Sequence, residues 1–274
     1  MAGSTPNLNL YLPGGGSTGL ILPDETADID PLNENFRKID TAIGDVDNQN
    51  RQWYGPAADI GTIPVDPKDG DTYQESDGSK TLWRRLGGLW VTNEGGMYLI
   101  RPASVTGAGV TIGANGSVVF TNVAPGTVVQ ILGIFSSRFR NYETRAIWTA
   151  KNANVDCPVR GLVGTTPVTS GTHSRAQQFL IAGARADSQA TGMTDFGSIL
   201  TPYWGTIGVS HTRWFSPNAA VQTYTISDWT VLGGTTGVGT LTSNLNSSDQ
   251  LTGLQITMGA GSPYSGEISF YGLA

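Results

Sequence analysis

Between Asp30 and Trp53 the apolar residues Leu32, Phe36, Ile39, Ile43 and Val46 recur at alternating steps of 4 and 3, and Asn50 and Trp53 continue the rhythm. A sustained 3.5-residue period favours helices that supercoil around one another over one straight helix buried on its own domain. Asp30 suits the cap and Pro31 the first helical position. The pattern predicts a stalk helix over residues 30–54, on the order of 35 Å long. Glu34, Arg37, Lys38 and Asp40 fall off the stripe, and Asn50 on it would be a polar register-setting core residue. Gly44 weakens the helix, and a single amphipathic helix packed on its own domain is the simpler alternative.

On either side of this segment the period changes. In residues 1–29, Leu8, Leu10 and Leu12 alternate with Asn7, Asn9 and Tyr11, then Gly14-Gly15-Gly16-Ser17 breaks the pattern before Leu20-Ile21-Leu22. Neither apolar piece can bury itself, so the stretch reads as an attachment leader that orders on an assembly. Residues 55–96 carry three short strand patterns, Asp71–Gln74, Thr81–Arg84 and Leu89–Val91, between glycine-rich turn signals. They predict a small β-meander module in which Tyr73, Trp83 and Trp90 pack together or against other copies. From residue 97 to 274, strand signals recur at short spacing with no helical period between them. Candidates are Met97–Arg101, Gly109–Ile112, Ser117–Asn122, Thr127–Phe135, Glu143–Lys151, Gln177–Ala184, Tyr203–Ser210, Ala220–Leu232, Leu254–Met258 and Gly266–Leu273. About ten strands over this length point to an antiparallel β-sandwich of jelly-roll type, with a barrel as the alternative. The expected fold is therefore mainly β after the stalk.

Composition supports that reading. The chain has 274 residues, of which 37 are glycine and only 14 % are charged. The net charge of −6 argues against nucleic acid as a partner, since phosphate binding needs a basic footprint. No apolar run is long enough to insert in a membrane, and Met1–Pro13 lacks the regions of a secretory signal, so release by cell lysis is expected. Cys157 stands alone, which excludes an intramolecular disulfide and thiolate metal sites. His173 and His211 lie in Ser/Thr-rich surroundings and read as solvated loop residues. A triad of Ser210, His211 and Asp228 has no nucleophile elbow behind it. The scattered carboxylates (Glu143, Asp156, Asp187, Asp195, Asp228, Asp249 and Glu267) form no recognisable pair for glycan cleavage. Neither a metal nor a cofactor is expected. Gly233–Gly239 precedes no helix and reads as a loop or bulged turn.

Aromatic and polar residues remain. Tyr203-Trp204, Trp214-Phe215, Tyr224 and Trp229 crowd residues 203–229, with His211, Arg213 and Asn218 among them. A sugar's apolar face stacks on an aromatic ring while its hydroxyls need convergent polar groups. The run Arg213-Trp214-Phe215-Ser216-Pro217-Asn218 reads as the opening of a loop, which would expose Trp214. Tyr203, Trp204, His211, Arg213 and Trp214 are the candidate receptor contacts.

Three stretches resemble tail-fibre and receptor-binding (minor tail) proteins of long-tailed bacteriophages. They are Asp30-Pro31-Leu32-Asn33-Glu34-Asn35-Phe36-Arg37-Lys38-Ile39-Asp40, then Gly70-Asp71-Thr72-Tyr73 with Leu82-Trp83-Arg84 and Gly88-Leu89-Trp90-Val91, and finally Ser265–Leu273 with Phe139-Arg140-Asn141-Tyr142. Residues 155–201 match nothing in that family. The resemblance implies a homotrimer held by Leu32, Phe36, Ile39, Ile43, Val46, Asn50 and Trp53. It also implies host adhesion as a class but gives no receptor: a bacterial surface glycan is expected from the aromatic and polar residues above, docking to tail-tip or baseplate proteins from the leader's unburied apolar pieces, and a non-enzymatic distal domain from the lack of a recognisable catalytic constellation. The location implied is the tail of the virion, after assembly in the host cytoplasm. A non-adhesive structural or decoration protein and a glycan-cleaving tail enzyme are the alternatives.

Overall fold

The computed structural model describes residues 3–4, 11–12, 51–63, 66–76, 81–94, 97–151, 155–169, 173–181, 184–201, 206–232 and 236–273. The chain divides into two compact units, Met1–Gln52 and Trp53–Ala274. In the first, β1 (Gly3–Ser4) pairs antiparallel with β2 (Tyr11–Leu12). β2 falls at the end of the alternating stretch in the leader.

The stalk expectation meets the described residues only at its end. Leu32, Phe36, Ile39, Ile43, Val46 and Asn50 lie outside them. Trp53 is not helical: it sits in the strand β3 (Gln52–Gly55). Two adjacent aromatics, Trp53 and Tyr54, followed by Gly55-Pro56 favour extended backbone over another helical turn. The Trp53 ring packs edge-on against Trp90, with centroids 6.3 Å apart. The coiled-coil helix thus finds no support among the described residues, and Trp53 is withdrawn from its seam.

β4 (Thr72–Glu75), β5 (Leu82–Leu86) and β6 (Leu89–Glu94) form the expected meander. Gly87 and Gly88 close the β5–β6 turn at φ 57° and 75°, where a side chain would be strained. The Asp69 carboxylate accepts both their amides at 2.8 and 3.1 Å. Tyr73, Trp83 and Trp90 pack together within one chain, in a small core with Ile60, Leu99 and Tyr271. Trp83 satisfies its indole N–H on Glu75 Oε1 at 2.7 Å. Leu99 belongs to β7 (Met97–Arg101) and Tyr271 to β21 (Tyr264–Leu273). β6 pairs with β7 from Trp90 opposite Arg101 to Glu94 opposite Met97. The meander therefore runs directly into the larger sheet, where the sequence suggested a boundary at residues 96/97.

The other strands are β8 (Ser104–Thr106), β9 (Val110–Ile112), β10 (Val118–Val123), β11 (Val128–Leu132), β12 (Asn141–Ala150), β13 (Val159–Val163), β14 (Thr166–Pro167), β15 (His173–Ile181), β16 (Ala184–Met193), β17 (Ile207–Phe215), β18 (Thr223–Leu232), β19 (Gly237–Leu245) and β20 (Gly253–Thr257). The larger sheet is ordered β16-β15-β19-β18-β17-β12-β21-β7-β6-β5-β4-β3, with β10 on β21 and β9 on β10. The smaller is β14-β13-β20-β11-β8. The protein is mainly β, as expected, and the two sheets share one core. Val129, Ile131, Val159, Leu254 and Ile256 enter it from the smaller sheet, and Phe120, Tyr142, Trp148, Trp214, Ile268 and Phe270 from the larger.

One irregular segment also enters that core. Phe196, Ile199 and Leu200 are fully buried yet lie in no strand. The buried carbonyls of Ile199 and Leu200 need donors, and side chains on the inner face of the large sheet supply them. Ser227 Oγ and Thr212 Oγ1 donate to Ile199 O at 2.6 and 2.9 Å, while Ser210 Oγ and Trp148 Nε1 donate to Leu200 O at 2.9 and 2.7 Å. The Ser/Thr alternation of β17 and β18 is therefore an inner face built for a loop, not a solvent face.

Candidate functional site

Successive side chains of a strand point to opposite faces, and the long strands β12 and β15–β19 sort their residues accordingly. On β17, Gly208, Ser210, Thr212 and Trp214 face inward while Val209, His211, Arg213 and Phe215 face outward. On β18, Tyr224, Asp228, Thr230 and Leu232 are exposed on the same outer face. The ladders set Phe215 opposite Tyr224, Tyr224 opposite Asn244, Asn244 opposite Ser174, and Ser174 opposite Thr191. These residues lead into a basin of about 500 Å³ that also takes in Gln189 and Thr242. A second basin of about 580 Å³ lies further along the same strands, lined by Val209, Thr230, Val238, Leu180, His211 and Gln178 among others.

The two basins differ in chemistry. The first offers a half-exposed tyrosine ring, hydroxyl and amide groups, and Arg175 as the one charged residue of its lining. Tyr224 is 48 % exposed, and its hydroxyl donates to Gln222 Oε1 at 2.7 Å, which fixes the phenol edge while leaving the ring face open. Asn244 Oδ1 accepts from the Ser174 amide at 3.1 Å, so its amide nitrogen is oriented. The second basin carries an apolar row. At the edge of the second basin, where His211 lines it, stands an ionic cluster in which Glu143 Oε1 accepts Arg145 Nε at 2.8 Å and lies 2.8 Å from His211 Nε2. Burial opposes charge on Glu143, but the hydrogen bonds from His211 and Arg145 outweigh it and hold the carboxyl below its usual range. The Arg145 guanidinium lies over the Tyr271 ring at 4.9 Å.

Of the five receptor contacts expected from sequence, His211 and Arg213 share this outer face, His211 half-buried and Arg213 exposed. Tyr203 and Trp204 lie outside the described residues. Trp214 requires a correction. It is 0 % exposed, near the end of a strand that runs on through Phe215, with its Nε1 donating to Thr144 Oγ1 at 3.2 Å. Its ring packs between Phe135 and Phe196, each centroid 5.4 Å away. Trp214 has no face to offer a sugar. Ser216 (φ 55°) and Pro217 made the preceding residues look like a loop, but the chain turns only after Phe215.

Neither histidine is a solvated loop residue. His173 lies in β15, 1 % exposed and edge-on to Phe196 at 4.6 Å, and burial lowers its pKa. Ser210 and His211 point to opposite faces, so the triad written from them is impossible. Among the described residues no three His, Cys, Asp or Glu stand close enough to hold a metal ion, and no helix is long and apolar enough to cross a membrane.

Sequence reasoning missed Gln189, Thr242, Asn244 and Ser174. β16 and most of β19 went unread because their alternation is polar against small: Thr240, Thr242 and Asn244 outward, Leu241, Ser243 and Leu245 inward. The readable signal was Leu241 and Leu245 recurring at even spacing.

No protein-family model matches the chain, and no curated protein matches it. Among solved structures, a Lotus tetragonolobus seed lectin is similar over 66 % of this chain and 93 % of its own, with 8 % identity and a TM-score of 0.25. A similarity this slight carries no argument about family or function.

Proposed function

We propose that this chain is a structural, non-enzymatic protein of a bacteriophage tail, which docks by its leader to tail-tip or baseplate proteins. In this reading it is a homotrimer, and its distal domain is a jelly-roll-like β-sandwich that binds a bacterial surface glycan. The order of three phage-tail-like stretches along one chain supports the setting. One observation carries the adhesive role: the basin beside Tyr224, where an open aromatic face meets a rim of hydroxyls and oriented amides. That chemistry fits a polyhydroxylated ligand held by stacking and hydrogen bonds, with Arg175 as the one charged residue in the lining.

The test uses fluorescently labelled full-length chain and host cells. Tyr224→Ala should fold normally, since the side chain is half exposed. Loss of one stacking contact, about 1 kcal/mol, lowers single-site affinity about five- to tenfold. Several sites acting together would magnify that loss on cells. Soluble wall polysaccharide should compete with the wild type. Undiminished cell binding by Tyr224→Ala would remove the basin from the account, and binding insensitive to polysaccharide would remove the glycan.

A further inference from the structure

The turn between β9 and β10 carries the one Asn-Gly pair of the sequence, Asn115-Gly116. Glycine in second place suits a tight turn, and its missing Cβ also leaves its nitrogen unhindered beside the asparagine side chain. Attack by Gly116 N on Asn115 Cγ forms a cyclic imide and expels the side-chain nitrogen as ammonia. Water then opens the imide at either carbonyl. The residue becomes aspartate, or its isomer with an extra methylene in the main chain.

The folded turn withholds both reactants. The Gly116 N–H donates to Gly113 O at 2.9 Å, and the same carbonyl accepts Arg101 Nη1 at 3.1 Å. Gly116 has φ 82° and sits against the buried Trp83 ring, which a Cβ there would approach to 2.4 Å. The Asn115 amide is pinned at both ends. Its Oδ1 accepts Ser117 N at 3.2 Å and Ser117 Oγ at 2.7 Å, and its Nδ2 donates to Glu267 Oε1 of β21 at 3.0 Å. Asn115 is exposed, so water reaches it, and only the fixed backbone keeps the nucleophile away. Trp83 belongs to the meander core. The turn is thus seated on the meander at Gly116 and on β21 at Asn115.

We propose that Asn115 is a self-modification site that acts as a one-way latch on this turn. Seated, the turn keeps its amide. Once it lifts from Trp83 and Glu267, Gly116 N reaches Cγ and the amide is lost. The acid cannot reseat in the same way. Its carboxylate replaces the donor that faced Glu267 Oε1 at 3.0 Å and sets like charges together. In the isomer, the added methylene also shifts Gly116 off the Trp83 ring. The product therefore holds the β9–β10 turn away from the meander. The reaction consumes only water, and the inference does not depend on the glycan reading.

Full-length chain kept in mildly alkaline buffer, with and without denaturing urea, tests the guard. Peptide mass mapping reads the conversion of amide to acid at Asn115. It should be about tenfold slower, or more, in the folded chain, because the seated turn must open first. Asn115→Asp, with unchanged circular dichroism, tests the latch through hydrogen exchange in residues 109–118. At neutral pH these amides should exchange about tenfold faster than in the wild type. Adding Glu267→Gln should restore slow exchange, since the glutamine amide then donates to the new carboxylate. A conversion rate in the folded chain equal to that in urea, no conversion at Asn115 in either, wild-type exchange in Asn115→Asp, or no rescue by Glu267→Gln would each overturn the proposal.

Discussion

At the scale of single residues, burial overrides the character suggested by neighbours in sequence. Lys151 is 4 % exposed, and burial brings its pKa down from 10.5 to about 8. Between those values the unfolded chain keeps a proton that the folded chain has released. Stability therefore rises with pH from about 8 to 10.5 and is lowest, on this account, at neutral pH and below. Lys151→Met should raise the melting temperature at pH 7 and flatten the rise above pH 8, as read by calorimetry across that range. A parallel pH dependence in the variant would show that another group is responsible. Trp214 is the same lesson in reverse: its place beside Pro217 suggested exposure, and only the ladder to Tyr142 shows that its register faces the core.

At the scale of elements, the inner face of β17 and β18 holds an irregular segment by hydroxyl groups. Ile199 O accepts from both Thr212 and Ser227. Removing one donor leaves the carbonyl satisfied by the other and should cost about 1 kcal/mol. Removing both leaves it buried without a donor, a penalty of about 1–3 kcal/mol beyond the lost bonds. Thr212→Val with Ser227→Ala should therefore be less stable than the sum of the single changes, measured by urea denaturation in a double-mutant cycle. Strict additivity would mean that the segment is held by its apolar contacts alone. Gly239 shows a second element-level fit. A Cβ there would come within 2.3 Å of the Trp229 ring directly across the ladder, so glycine and tryptophan are matched across strands. Read along the chain, Gly233–Gly239 looked like a loop, whereas its last three residues open β19.

At the scale of the whole molecule, Trp53–Ala274 is a compact unit in which the meander and the two-sheet core are continuous. A chain of residues 51–274 should fold alone, with strand-rich circular dichroism and one cooperative melting transition. Two separate transitions would reinstate a boundary near residue 96. Under the proposed function this truncated chain should also lose the trimeric mass of the full chain in light scattering.

Strand content, the meander with its glycine turn, and the strands β7, β20 and β21 were legible in the sequence, because each rests on local alternation and backbone preference. Pairing partners were not. The outer face is assembled from β12 and five strands spread from residue 173 to 245, ordered β15-β19-β18-β17 rather than as they follow in the chain. That order alone decides that Tyr224 meets Asn244 and that Trp214 is interior. A strand's sequence shows that its two faces differ. Which face meets the core, and which residues stand opposite, depends on neighbours remote in the chain, so only the tertiary structure could decide them.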